Sequence, residues 1–149
     1  MTGSILGFSA TAIYLAVWVY LLAQVRRDPQ FNHWSLQAAA AVAIGLHGAT
    51  LVGLLFINGG LDLSLLKVFA LSALVINSLV WISGMKKPLH TLYLFLFPIS
   101  AISLAAAVMS LNSTLVLLES FNIQAHILIS ILAYSLLAIA ALQALLVGY

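Results

Sequence analysis

The chain has 149 residues, of which 64% are hydrophobic and 5% charged, and it carries a formal net charge of +2. Ordinary soluble domains carry about 25% charged residues, so five Lys/Arg and three Asp/Glu cannot cover a water-facing exterior, which excludes a soluble globular protein. The small positive balance does not indicate a nucleic-acid partner either, because four of the five basic residues form two adjacent pairs between apolar blocks, where such pairs act as topology signals.

Crossing roughly 30 Å of hydrocarbon takes about 20 helical residues, and five apolar blocks reach that length. The first, residues 4–24, ends at Arg26-Arg27-Asp28-Pro29, a charged stop with a helix breaker. It lacks the basic start of a cleavable signal peptide and is too long for one, so it reads as a retained span. The second, residues 34–57, closes on the turn signal Asn58-Gly59-Gly60. The third, residues 63–84, carries Lys67 near its start and ends at Lys86-Lys87-Pro88. The fourth, residues 90–110, contains Pro98, which is expected to kink it and free the carbonyl of Leu94. Residues 111–124 mix Leu115, Leu118 and Phe121 with Asn112, Ser113, Glu119 and Asn122. That stretch is too polar to span and is expected at the interface as a short amphipathic turn or helix. The fifth block covers residues 125–148.

The apolar runs do not alternate with period two, and isolated strands could not satisfy their backbone groups in lipid. The expected fold class is therefore an all-α integral membrane protein. It is a single domain, residues 1–149, of about five transmembrane helices. Arg26 and Arg27, with Lys86 and Lys87, place the loops after helices one and three in the cytoplasm and the N-terminus outside. The last block runs to Tyr149 with no polar tail, which leads us to expect further helices beyond it.

Intramembrane ionisable residues are functional candidates by default. His33 and His90 fall at the cytoplasmic ends of helices two and four, where an interfacial anchor is the ordinary role. His47 lies within helix two and His126 opens helix five, at similar depths in the outer half by the rise per residue. A hydrogen bond to a neighbouring carbonyl is the bland role for His47, and capping of helix five that for His126. Lys67 either snorkels to the headgroups or pairs with an anionic group. Asn77, Ser78, Ser100 and Ser103 are expected as interhelical hydrogen-bond partners. Trp18, Trp34, Trp81 and Tyr93 are expected as belt or packing aromatics. Gly45, Ala49 and Gly53 form a small-residue stripe expected to admit a close helix. With no cysteine, disulfides and thiolate ligands are excluded. With no acidic residue inside a span and no hydrolytic motif, carboxylate-driven proton pumping and hydrolysis are disfavoured.

The runs Leu61-Asp62-Leu63-Ser64-Leu65-Leu66-Lys67-Val68 and His126-Ile127-Leu128-Ile129-Ser130-Ile131-Leu132-Ala133-Tyr134 resemble the cytochrome c assembly transmembrane proteins. Within them the chain is most similar to the YpjD inner-membrane branch, related to HemX. The likeness follows helix order over nearly the whole chain and includes the histidine of helix two, His47. Members with about eight spans are usual, so the chain resembles their N-terminal portion. The tryptophan-rich outer loop of the cytochrome-assembly members has no counterpart between residues 111 and 124.

The resemblance implies a haem-associated, multi-pass protein of the bacterial inner membrane that is not itself an enzyme. His47 and His126 would be axial ligands of haem iron or pocket residues, and Lys67 a propionate partner. Its partners would be the lipid bilayer, haem, and other membrane subunits or further helices. The rival expectations are a non-haem accessory or transport protein whose histidines are structural, and a purely structural membrane subunit.

Overall fold

The described residues form five long helices: α1 (Thr2–Val25), α2 (His33–Leu55), α3 (Leu65–Gly84), α4 (His90–Met109) and α5 (Phe121–Val147). They are seen in a computed structural model that describes residues 2–25, 33–57, 60–85, 90–110, 115–116 and 121–148. All five are long and apolar enough to cross a membrane, and the chain is a multi-pass membrane protein. The basic pairs at residues 26–27 and 86–87, on which the expected orientation rests, lie outside the described residues.

Two connections meet at one end of the bundle in a small antiparallel sheet, ordered β1 (Phe56–Ile57), β2 (Gly60–Asp62) and β3 (Leu115–Val116). Ile57 pairs with Gly60, and Asp62 with Leu115. The sheet corrects two expectations. The second helix stops at Leu55, and its last apolar residues become β1. Within residues 111–124, expected as an amphipathic turn or helix, residues 115–116 form a strand and residues 121–124 belong to α5, which begins four residues earlier than expected, at Phe121. The rest of that stretch lies outside the described residues. A two-stranded hairpin alone leaves an open edge of N–H and C=O groups, and β3 satisfies part of it.

Helix α1 packs against α2 and α4, and α3 packs against α2, α4 and α5. The main core lies between α1, α2, α3 and α4, around Tyr14, Leu36, Ala40, Ala43, Phe97 and Ala101. A smaller cluster of Leu51, Leu55, Ala70 and Ala107 sits beneath the sheet. Gly7 of α1 makes a close approach to α4 and α2. A Cβ there would fall 2.5 Å from Val108 Cγ2 and 3.1 Å from Thr50 Cγ2.

Span hydroxyls mostly turn back onto their own helices. Ser72 donates to the Val68 carbonyl at 3.0 Å, Ser78 to Leu74 at 2.8 Å and Ser135 to Ile131 at 2.7 Å. Of the four expected interhelical partners, Asn77 and Ser100 do bond across α3 and α4. Ser78 and Ser103 bond within their own helices, because a hydroxyl one turn from a carbonyl needs no second helix.

The stripe of Gly45, Ala49 and Gly53 faces outward, with nothing within 4 Å of a Cβ built at either glycine. Among the described residues no helix packs closely on that side, where one was expected. What α2 buries instead is the face of Leu36, Ala40, Ala43, His47 and Leu51.

Candidate functional site: the His47 junction

The fourth turn of α1 brings Tyr14 against His47 of α2, and both residues are sealed from solvent, each at 0% exposure. The Tyr14 hydroxyl and His47 Nδ1 share a hydrogen bond of 3.2 Å, with the two rings edge to face at 5.7 Å between centroids. The imidazole also lies beside the Ala70 carbonyl of α3. Nε2 nevertheless has no partner within hydrogen-bond geometry among the described residues. His47 thus sits where α1, α2 and α3 meet, with one nitrogen fixed and the other unused.

That arrangement admits two tautomers. If the Tyr14 hydroxyl donates to Nδ1, the ring carries its proton on Nε2 and can only turn it towards Ala70. If Nδ1–H donates to the tyrosine oxygen, Nε2 presents a bare lone pair, which is the form that binds a metal. A hydrogen bond to the other nitrogen is what fixes the ligating tautomer in metal sites.

Aromatic contacts continue from this point into the bundle. Tyr14 tilts against Phe97 at 5.3 Å, and Phe97 against Tyr93 at 4.7 Å. The Tyr93 hydroxyl donates to Gln37 Oε1 at 3.4 Å, and the Trp81 indole to the Gln37 carbonyl at 3.0 Å. Tyr93 is therefore a buried packing residue, whereas Trp34 is exposed as a belt residue would be. Neither Tyr14 nor Gln37 was legible as a partner from the sequence. A lone polar group in an apolar run becomes visible as a partner only when its helix is docked.

The other expected site residues lie elsewhere. Lys67 is only 4% exposed and its ammonium is paired with Asp62 of β2. Asp62 is itself sealed, and its second oxygen accepts the backbone N–H of Ser64 at 3.0 Å. The Ser64 carbonyl in turn accepts the first free amides of α3, from Lys67 and Val68, each at 3.0 Å. Lys67 is therefore committed to an internal carboxylate that ties the sheet to the start of α3.

His126 does not join His47. Helix α5 buries Ile131 and Ser135 and half-buries Ile139, Leu142 and Leu146 towards the bundle. His126 stands on the opposite face with Tyr134, which is 72% exposed. The histidine and tyrosine that carry the resemblance at helix five are thus turned away from the bundle. His33 and His90 open α2 and α4, and their side chains lie outside the described residues.

Among the described residues no three His, Cys, Asp or Glu side chains gather as a metal-binding group. The donor chemistry of His47 suits haem iron, as a neutral imidazole with an unused nitrogen. The second expected ligand, His126, does not fit the same place. No family model matches the chain, and neither a curated protein nor a solved structure does.

Proposed function

We propose that this protein handles haem within the bilayer, as a membrane protein of the cytochrome c assembly type, with His47 as the residue that takes the iron. The observation that carries this reading is the buried imidazole whose Nδ1 is held by Tyr14 and whose Nε2 has no partner. A buried polar atom left unpaired is costly, and ligation would satisfy it. The resemblance of the Asp62–Val68 and His126–Tyr134 runs to that family supports the same reading. Haem, when bound, supplies the iron chemistry, and the chain's own residues orient the imidazole and shield it from water.

His126 serves this reading only at the outward face of α5. We propose that this face meets further helices or another membrane subunit, where His126 has its partner. The basic pairs support an orientation with the N-terminus outside and residues 26–27 and 86–87 in the cytoplasm of a bacterial cell, hence the inner membrane.

The test is a visible spectrum of the purified full chain in detergent, before and after addition of haem. A Soret band that His47→Ala abolishes is the expected result. No band after haem is added, or a band that His47→Ala leaves intact, overturns the assignment.

One observation favours a second reading, in which His47 is structural. The Ala70 carbonyl lies beside the ring, so a small shift would let Nε2–H donate to it and close a three-helix junction. The protein would then be a non-haem accessory or transport protein. In that case His47→Ala lowers stability and the chain never acquires a Soret band.

A further inference from the structure

We propose that the seam between α3 and α4 holds a water molecule near the middle of the bilayer, bound to the side-chain oxygen of Asn77. Asn77 is the thirteenth of the 20 residues of α3 and Ser100 the eleventh of the 20 of α4, so both stand near the centre of their spans. Both side chains are buried. A cavity of about 50 Å³ lies between the two helices, lined by Asn77, Ser72, Ser100 and Leu96. Phe69 and Ile99, also in its lining, are partly exposed on the lipid side.

The orientation of the Asn77 amide is fixed by its neighbours. A backbone carbonyl only accepts, so the atom 2.8 Å from the Ala73 carbonyl is the nitrogen. Nδ2 spends its second hydrogen on Ser100 Oγ. Oδ1 is the group left over, and it has no partner among the described residues. An acceptor stranded in hydrocarbon is costly. The hydroxyls that share the cavity have no hydrogen to spare. Ser72 donates to the Val68 carbonyl at 3.0 Å, and Ser100 to the Leu96 carbonyl at 2.8 Å. The side chains of the cavity therefore offer acceptors and no donor.

That lining selects the occupant. It has to bring hydrogens of its own, and the volume is too small for an organic ligand, whose sites run to ~300–1,000 Å³. A water molecule takes ~30 Å³ in the liquid and is held by two to four polar partners. One of its hydrogens goes to Asn77 Oδ1, and the other is free for the remaining lone pair of Ser100 Oγ, which ties α3 to α4. A cation would also suit oxygen acceptors, but no acidic residue lines the cavity. An unpaired charge near the bilayer centre is expensive, and water carries no such cost. The site goes beyond the haem reading and does not rest on it, since His47 is not among the lining residues.

The experiment places the full chain in lipid nanodiscs and exposes it to a synchrotron X-ray pulse, which splits bound water in place and oxidises the side chains beside it. Leu96 of the cavity and Leu104 of the same helix are the same residue type, at 4% and 0% exposure, so radicals from bulk water reach neither. Oxidation of Leu96 several times that of Leu104 is the expected result. Asn77→Leu keeps the size of the side chain and removes the acceptor. It should lower Leu96 oxidation about fivefold, the factor of one net hydrogen bond, with Leu104 unchanged. A second readout needs no variant: in solid-state NMR, magnetisation started on water should reach the Asn77 side-chain amide before the Leu104 backbone amide. Leu96 oxidised no more than Leu104, oxidation that a folded Asn77→Leu variant leaves intact, or simultaneous arrival at the two amides overturns the proposal. So does Leu96 oxidation that disappears when choline replaces sodium, which would assign the cavity to a cation.

Discussion

The indole of Trp18 donates to the carbonyl of Leu94 at 2.9 Å, joining α1 to the turn of α4 that Pro98 leaves open. Proline has no N–H, so the carbonyl four residues before it loses its helical partner. In hydrocarbon no water replaces that partner. The repair comes from another helix, which makes a local defect of α4 into a fixed contact between α1 and α4.

Trp18→Phe keeps an aromatic, though smaller, ring and removes the donor, and it is expected to lower stability by about 1 kcal/mol, the scale of interhelical hydrogen bonds in membranes. Pro98→Ala restores a helical N–H to the same carbonyl. The cost of Trp18→Phe should therefore shrink in the Pro98→Ala background. A double-mutant cycle of unfolding in mixed micelles measures this coupling, and strict additivity would show that the two residues act independently.

The Asp62–Lys67 pair predicts an asymmetry between single and double replacements. Either Asp62→Asn or Lys67→Met alone strands a sealed charge and should cost about 3–5 kcal/mol. Replacing both removes the stranded charge and should recover much of that loss. Unfolding midpoints of the three variants test it. Losses that simply add in the double variant contradict a mutual pairing.

Glycine positions should divide by what surrounds them. Gly7→Ala places a methyl 2.5 Å from Val108 Cγ2, a β-branched side chain with little freedom to give way. Overpacking of this kind costs about 1–3 kcal/mol. Gly45→Ala and Gly53→Ala meet nothing within 4 Å and should be neutral or stabilising, because alanine favours helix by up to about 1 kcal/mol. Thermal unfolding of the three single variants distinguishes these outcomes.

Tyr14→Phe leaves the edge-to-face packing on His47 but removes the hydroxyl from Nδ1. If His47 holds haem iron, the loss of this orienting bond should weaken haem binding about 10–100-fold. The band should weaken without vanishing, unlike in His47→Ala. A haem titration followed at the Soret maximum separates the two variants, and unchanged affinity in Tyr14→Phe would detach the tyrosine from any ligand role.

Long apolar runs are a property of local sequence, and so the existence and approximate limits of five spans were legible without a structure. The freed carbonyl at Leu94 was legible for the same reason, since a proline affects a carbonyl at a fixed offset. The residue that answers it was not, because Trp18 lies 76 positions away. Strand β3 was hidden too: Leu115 and Val116 have an extended partner only once the β1–β2 hairpin stands beside them.

The sequence by itself determined that this chain lives in a bilayer, because its apolar content leaves no other solvent that its surface could face. Tertiary structure alone decided which way each helix turns. The rotation of α5 on α3, set by Ile131 and Ser135 packing inward, carries His126 and Tyr134 to the outside. The rotation of α2 buries His47 and exposes Gly45 and Gly53. Helix rotation is fixed by side chains interlocking with neighbours, and five helices apolar on nearly every side carry little periodic signal from which to read it.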